Sequence, residues 1–315
     1  MSKVVAGICM SHNTGVNILM DRTTDLDSAR RWLAALDRAR QALQAARPDV
    51  LVVAASNHFM GVYLDLVPAF TLGVADVSGE GDEGTPGGPL PVDRELARSL
   101  AFGLLEREFD LGLSLRLTVD HGITMAMQYL TPELDVPVVP LVINAFTPPL
   151  PTLDRVRALG ASVREIVAAD GADKRVAVVG TGGISHHLPF FLKWWQVEEE
   201  QRFLVDALFA GRDAELDRRW GEARGAAMQA VQPRVNPEFD REVVRMVVER
   251  DWGAISALSY DKIEELGGNG GQEVRNWVFA AAAAGPGTGE MIDYVPMHEW
   301  HTGLAAATLL PAPRQ

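Results

Sequence analysis

Short runs of aliphatic and β-branched residues alternate with helix-like segments along most of this chain, and this alternation restricts the fold more than any other feature. Runs this apolar are typical of strands that helices cover on both faces. Between them, Leu and Ala recur on one face of a predicted helix. The alternation therefore predicts an α/β sandwich with a central mixed β-sheet flanked by helices. The predicted strands lie at 3–10, 49–56, 66–74, 111–119, 136–144 and 175–180, and the predicted helices at 26–46, 91–108 and 153–169.

Three stretches carry more specific expectations. The strand at 66–74 contains Pro68, which cannot donate to a ladder and so favours a sheet edge. Residues 76–90 are rich in Gly and acidic side chains and predict a long loop. The pattern after residue 188 is helical and ends with a helix at 273–284, so the C-terminal third is predicted to be helical. No linker or repeat interrupts the chain, which predicts one domain over residues 1–315.

Composition excludes several classes of partner. The formal net charge is −13, and an acidic surface repels nucleic acid and anionic lipid. No apolar run approaches the roughly 20 residues that span a bilayer, and the first residues lack the long apolar segment of a signal peptide. The single cysteine, Cys9, rules out an intrachain disulfide framework and a cysteine-based zinc site. Together these features predict a soluble protein of the reducing cytoplasm.

Histidines follow the predicted strands with unusual regularity. Five of the seven lie just past the carboxyl end of an apolar run: His12, His58, His121, His186 and His187. In open α/β sheets this edge is where ligands bind, and separate strand ends meet there. One such histidine alone is more often a turn residue or a hydrogen-bonded core residue than a ligand. Several together favour a functional site, because each buried imidazole must be desolvated and paired.

A metal site is the most specific interpretation of these histidines. Without cysteine, a site of histidine and carboxylate ligands selects Fe, Mn or Zn by geometry, and two His with one carboxylate leave coordination positions open. The carboxylate should come from a separate element. Glu273 is the candidate, because it opens the predicted last helix beside the apolar Val274 and Trp277. The alternative is that Glu273 merely complements the dipole at a helix N-terminus.

Other motifs carry less information. Residues 180–184 (GTGGI) lack the spacing of a dinucleotide or phosphate loop, and Ser185-His186 lies in no G-x-S-x-G elbow. His298 and His301 have i, i+3 spacing near the chain end, which favours a surface or interface role over a zinc-protease motif. The adjacent residues 194–195 (WW) favour core or subunit contacts.

Several motifs together resemble the class III extradiol ring-cleavage dioxygenases. They follow the order of that family over nearly the whole chain, so the resemblance is specific. The length and GGPLPVD look most similar to the branch of the family that acts on dihydroxyphenylpropionate. The motifs are Ser11-His12, Asn57-His58, VPAFTLG (67–73), GGPLPVD (87–93), VDHG (119–122), GTGGISH (180–186) and EVRNW (273–277).

The resemblance implies a cofactor, a reaction and roles for five residues. It implies that His12, His58 and Glu273 bind Fe(II). It further implies that His121 and His186 are the acid/base pair. The implied reaction opens a small catechol-type aromatic ring with O2, next to the two hydroxyls, to a muconic semialdehyde-type product, in a homo-oligomeric enzyme. His187 departs from the family pattern, which has Gln at this position, and this leaves the substrate preference open.

Three alternatives remain open from the sequence. The same fold acts on gallate-like or aminophenol-type rings, or binds metal without dioxygenase activity, as Memo-like proteins do. A zinc hydrolase would keep its activity with zinc and need no O2. The ring substituent is also open, because an anionic side chain would need an Arg or Lys in the pocket and the sequence singles out none.

Overall fold

A mixed β-sheet organises the computed structural model, which describes residues 1–312. Within that range the sheet has nine strands in the order β4-β3-β6-β2-β7-β1-β9-β8, with β5 paired to β3. The strands are β1 (Lys3–Met10), β2 (Val50–Ala55), β3 (Phe70–Glu80), β4 (Gly87–Pro89), β5 (Gly112–Val119), β6 (Val138–Ile143), β7 (Arg175–Thr181), β8 (Gly287–Met297) and β9 (Thr302–Pro311).

Helices cover both faces of this sheet. The α-helices are α1 (Gly15–Ile18), α2 (Leu26–Ala46), α3 (Arg94–Leu105), α4 (His121–Leu130), α5 (Leu153–Ala169), α6 (Arg202–Asp206), α7 (Ala214–Ala230), α8 (Pro237–Glu249), α9 (Trp252–Ala257), α10 (Tyr260–Gly267) and α11 (Val274–Ala284). Short 3₁₀ helices lie at Met20–Arg22, Asp82–Gly84, Glu199–Gln201, Gly270–Glu273 and His298–Trp300.

The central strands are parallel and buried, which explains their unbroken apolar sequence. β1, β7, β2 and β6 are neighbours in parallel register, and every residue of β2 and β6 is buried. On one face α3, α5, α8 and α11 form a core that includes Trp277 and Phe279. On the other face α2 and α4 bury Trp32 and Ile123. The predicted sandwich is confirmed.

The strand predicted at 66–74 is present as part of β3, but its predicted edge position and the long loop predicted at 76–90 are wrong. Pro68 precedes β3, which starts at Phe70, and β3 is an inner strand that pairs with β5 on one side and with β6 and β4 on the other. Pro68 therefore lies outside the strand and is not required to donate a hydrogen bond to a neighbouring strand. β3 continues to Glu80, and β4 pairs back on it, so no long loop forms. Gly79 lies where a Cβ would come within 2.2 Å of the Pro86 carbonyl oxygen, so this glycine serves a close approach inside the sheet.

The C-terminal third is helical as far as Ala284, as predicted, but it then adds a hairpin that the sequence did not indicate. β8 and β9 pair antiparallel, and β9 pairs antiparallel with β1. Leu304 and Ala305 in β9 are fully buried. Alanine has a low strand propensity, and here the strand forms because tertiary packing covers it.

Two further findings concern contacts with other subunits and with membranes. Trp194 and Trp195 are 57% and 49% exposed, so the core role considered for them is wrong, while a subunit contact stays a prediction. Within residues 1–312, no helix combines the length and the apolarity needed to cross a membrane.

Candidate metal centre

Four strands deliver histidines to one edge of the sheet. His12 follows β1, His58 follows β2, His121 opens α4 directly after β5, and His186 follows β7. All four side chains border one cavity, together with Glu273. The convergence expected from parallel strand ends is therefore present for His12, His58 and His186. β5 pairs with β3, which runs antiparallel to β6, so His121 reaches the site by a different route. The cavity joins residues that are up to 261 positions apart in the sequence.

Glu273 reaches this edge because α11 is fastened to two strand ends. Asn276 Nδ2 donates to Ser56 Oγ (2.9 Å) and to the Thr181 carbonyl (2.7 Å). Trp277 Nε1 donates to the carbonyl oxygen of Gly182 (3.0 Å). A Cβ on Gly182 would lie 2.5 Å from Glu273 Cβ, so only glycine allows this approach. The Glu273 side chain is consequently fully buried among the histidines.

The carboxylate of Glu273 faces three imidazoles. Oε1 lies 3.0 Å from His12 Nε2 and 3.7 Å from His58 Nε2. Oε2 accepts a hydrogen bond from Gly183 N (2.8 Å) and lies 3.5 Å from His186 Nε2. Burial alone would raise the pKa of Glu273, but the surrounding imidazoles, His12 foremost, lower it to about 2. This lowering of the pKa requires imidazoles that carry charge or donate a proton, and a hydrogen bond from His12 is among its causes. When the rings are neutral, Oε1 has no hydrogen-bond donor within residues 1–312.

Hydrogen bonds fix which nitrogen of each ligand candidate carries the proton. Thr181 Oγ1 donates its only proton to the Gly122 carbonyl (2.5 Å), so His12 Nδ1 must donate to Thr181 (2.9 Å). His58 Nδ1 donates to Asp120 Oδ1 (3.0 Å). When both rings are neutral, Nε2 of each bears a lone pair directed at Glu273. Asp120 also accepts from the His58 backbone N–H (2.7 Å), which fixes this ring further.

In this neutral state two lone pairs and one carboxylate oxygen meet with no proton between them. Such an arrangement is repulsive unless a cation occupies the centre. Metal-bound histidines commonly donate their other nitrogen to a carboxylate or a protein oxygen, as both rings do here. Two His and one Glu on one side of a cavity fit the facial set of a non-haem Fe(II) site. The donor set therefore fits the metal that the sequence motifs implied, and these three roles stay predictions.

His121 is a competing ligand by distance alone. Its ligand atom lies within 4.8 Å of those of His12 and His58, and its ring stacks on His58 with centroids 4.0 Å apart. Nδ1 of His121 donates to Asp82 Oδ2 (2.5 Å), which leaves Nε2 free. Burial lowers the pKa of His121, but the hydrogen bond to Asp82 and the nearby carboxylates outweigh it and raise the pKa.

His186 lies in the opposite environment. Burial lowers its pKa to about 4, only partly offset by Glu273. Its Nδ1 is buried without a hydrogen-bond partner among the described residues. Gly183 and Gly270 hold the ring between them, since a Cβ on Gly270 would lie 2.2 Å from His186 Nε2. The two predicted acid/base histidines are thus both present beside Glu273, in contrasting surroundings, and their roles stay predictions.

The cavity, of about 510 Å³, also contains residues that the sequence did not single out. His301 and His187 both line it, and the surface or interface role for His301 stays a prediction. Arg22 and Arg224 supply the cations that no sequence signal revealed. Neither arginine follows a predicted strand or belongs to a recognised motif, so the sequence did not indicate them. Only the folded chain brings them to the cavity.

Comparison with known proteins agrees with this site. Residues 6–306 match the family described as the catalytic LigB subunit of aromatic ring-opening dioxygenase. A Rhodococcus protein named 2,3-dihydroxyphenylpropionate/2,3-dihydroxicinnamic acid 1,2-dioxygenase is 38% identical over 87% of this chain and 89% of its own length. An Azotobacter vinelandii protein of the same name is 35% identical over 94% and 95%. An uncharacterized Escherichia coli K12 protein of solved structure shares the fold, with a TM-score of 0.50 and 14% identity over 97% and 99%.

Proposed function

This chain belongs to the LigB family of aromatic ring-opening dioxygenases and is an extradiol ring-cleavage enzyme for a catechol-type substrate; we propose that Fe(II) is its metal. We propose His12, His58 and Glu273 as the ligands. The substrate is a catechol with a carboxylated side chain, of the kind that the names of the relatives specify. The product is the ring-opened muconic semialdehyde-type compound.

One observation carries the metal assignment. Glu273 Oε1 is a fully buried carboxylate oxygen that lies 3.0 Å from His12 Nε2 and 3.7 Å from His58 Nε2, and it has no donor among the described residues when both rings are neutral. Burying such an oxygen unpaired is costly, and the cost is removed when a cation binds there. The ligand atoms are histidine nitrogen and carboxylate oxygen, which suit Fe(II).

Bound Fe(II) supplies the Lewis acidity and the redox chemistry with O2 that amino-acid side chains lack. The protein positions the substrate and moves its protons. His121, with Nδ1 fixed by Asp82, presents Nε2 to the cavity and can exchange a proton with a catechol hydroxyl. His186 presents Nε2 from the other side, held by Gly183 and Gly270.

Aromatic side chains shield this chemistry from water. Phe146 lies against His58 with ring centroids 5.4 Å apart, and Phe191 packs on Phe146 at 5.0 Å. Phe190 continues the wall towards Trp220. A cavity of about 510 Å³ is within the range for a small ligand. Its apolar wall suits a ring, and its histidine end suits the two hydroxyls.

The test is O2 uptake by the metal-free protein after anaerobic loading with Fe(II). We expect uptake and a conjugated visible-absorbing product with 2,3-dihydroxyphenylpropionate, and no uptake after chelation or with zinc in place of iron. Zinc-supported turnover would overturn the Fe(II) assignment. The turnover rates of gallate-like and aminophenol compounds, measured beside that of 2,3-dihydroxyphenylpropionate, identify the class of ring that the enzyme cleaves. Faster turnover of either would overturn the proposed substrate.

We also propose a cytoplasmic, homo-oligomeric enzyme. The support is the lone Cys9, which is buried and reduced, and the partly exposed Trp194 and Trp195. Size-exclusion chromatography with light scattering measures the oligomeric state. A monomer at micromolar concentration would contradict the proposal.

A further inference from the structure

The charged groups around the cavity are unequally matched. Three carboxylates line it, and each has an assigned partner. Glu273 faces the imidazoles, Glu83 pairs with Arg224, and Glu299 accepts hydrogen bonds from the Thr24 and Asp25 backbone and from the Thr24 hydroxyl. The donors to Glu299 are uncharged, so one carboxylate and one cation of this cavity have no ion-pair partner within residues 1–312.

That cation is Arg22. Arg22 lines the same cavity as the histidines. It is exposed, and among residues 1–312 no carboxylate lies within ion-pair distance of it and no side-chain hydrogen bond restrains it. A solvated guanidinium at the rim of an otherwise histidine and apolar cavity is an available partner for an anionic ligand.

Arg224 is the other cation and is already engaged. Its Nη2 contacts Glu83 Oε1, and Glu83 also accepts from Thr14 Oγ1 (3.3 Å). The guanidinium lies over the rings of Trp220 (5.3 Å) and Phe190 (5.8 Å). A ligand carboxylate would have to compete with Glu83 for Arg224, whereas it meets Arg22 without a competitor.

The backbone that carries Arg22 is firmly placed relative to the metal centre. The chain passes from His12 through α1 to the 3₁₀ helix that ends at Arg22. Gly15 in α1 abuts Trp300, since a Cβ there would lie 2.5 Å from Trp300 Cγ. Thr23 Oγ1 accepts from Trp300 Nε1 (2.9 Å), which fastens the residue next to Arg22.

The segment from His12 to Arg22 lines the cavity with both polar and apolar residues, among them Asn13 and Thr14. Ile18 and Leu19 line the cavity on the segment that carries Arg22, and Ile18 is partly exposed there. A short methylene chain suits this stretch, and a carboxylate at its far end suits a guanidinium. We infer that Arg22 binds the side-chain carboxylate of the substrate. The inference rests on the proposed function and identifies the residue that selects a carboxylated catechol.

The test compares two substrates that differ only in the end group of the side chain, carboxylate against methyl: 3-(2,3-dihydroxyphenyl)propionate and 3-propylcatechol. For Arg22→Gln we expect kcat/KM for the propionate to fall about 10–100-fold more than kcat/KM for the propylcatechol, mainly through KM. Arg22→Lys should keep part of the preference, because the charge stays but the planar fork is lost. Arg98→Gln, an exposed arginine on α3 outside the cavity, is the matched control and should keep the wild-type ratio.

A second readout does not need a loaded enzyme. Calorimetry with 3-phenylpropionate and metal-free protein should show binding that weakens by a similar factor in Arg22→Gln. The inference is overturned if Arg22→Gln lowers both substrates equally, or if Arg224→Gln and not Arg22→Gln removes the preference. Wild-type protein that turns over propylcatechol but ignores the carboxylate also overturns it, while ring cleavage stands. If neither catechol is turned over, the proposed function fails, and phenylpropionate binding still decides the role of Arg22.

Discussion

Replacing Glu273 by Gln separates a metal ligand from a structural carboxylate. The substitution keeps the volume of the fully buried side chain. Its carbonyl can take the place of Oε2 and accept from Gly183 N, 2.8 Å away. Its NH2 then replaces Oε1 and donates to the lone pair on His12 Nε2, 3.0 Å away. We therefore expect the metal-free variant to unfold at a temperature equal to or above that of the wild type.

The effect on metal binding has the opposite sign. Changing a group that only supports a metal ligand typically weakens binding 10–100-fold, so losing the anionic ligand Glu273 should weaken it by about 100-fold or more. Fe(II) at about 100 times the wild-type Kd stabilises the wild type by about 2.7 kcal/mol. At that concentration the variant gains only about 0.4 kcal/mol. With an unfolding entropy of about 2.1 cal/mol/K per residue, Fe(II) should raise the Tm of the wild type by about 4 °C and that of the variant by less than about 1 °C.

The assay is anaerobic calorimetry of both proteins with and without Fe(II), together with a count of bound iron. Glu299→Gln is the matched control, because Glu299 lines the same cavity but hydrogen-bonds to Thr24 and not to the histidines. Its Fe(II)-induced rise in Tm should equal that of the wild type. If Glu273→Gln gains as much as the wild type, or if it is clearly less stable without metal, the assignment of Glu273 and the proton positions deduced for His12 are wrong.

Three further predictions address the neighbouring residues. His121→Ala and His186→Ala should keep wild-type iron while turnover falls by about 10²–10⁴, the usual worth of a positioned acid or base; loss of iron in either, measured with a chromogenic chelator, would make that residue a ligand. Gly270→Ala should lower kcat and keep iron, because its Cβ would lie 2.2 Å from His186 Nε2; steady-state kinetics showing wild-type kcat would refute this. Burial raises the pKa of Asp240 from 3.8 to about 6 despite its hydrogen bonds. The native state then binds more protons than the unfolded state between about pH 4 and 6, so the free energy of unfolding should fall by about 3 kcal/mol as pH rises through that window. Urea unfolding titrations across this pH range should show the loss in the wild type and not in Asp240→Asn. The prediction is contradicted if the free energy of unfolding changes with pH in the same way in both proteins.

Much of the fold could be predicted because local sequence and tertiary environment agree there. The buried parallel strands β2 and β6 are continuous aliphatic runs, and α5 spans the residues predicted for it. The prediction from local sequence failed where residues of low strand propensity form strands. β3 extends into a glycine-rich stretch, and β9 is rich in alanine. Both strands exist because neighbours supply hydrogen bonds and cover, which no local pattern records.

The sequence by itself determined which side chains reach the active edge of the sheet. Parallel strands end at a common edge, so His12, His58 and His186 had to converge wherever the strands paired. Tertiary structure alone decided which nitrogen of each ring is free, because Thr181 and Asp120 are distant in sequence from the rings they fix. It also decided which charges face the cavity. Ion pairing and exposure depend on contacts between remote segments, and a sequence contains no distances between them.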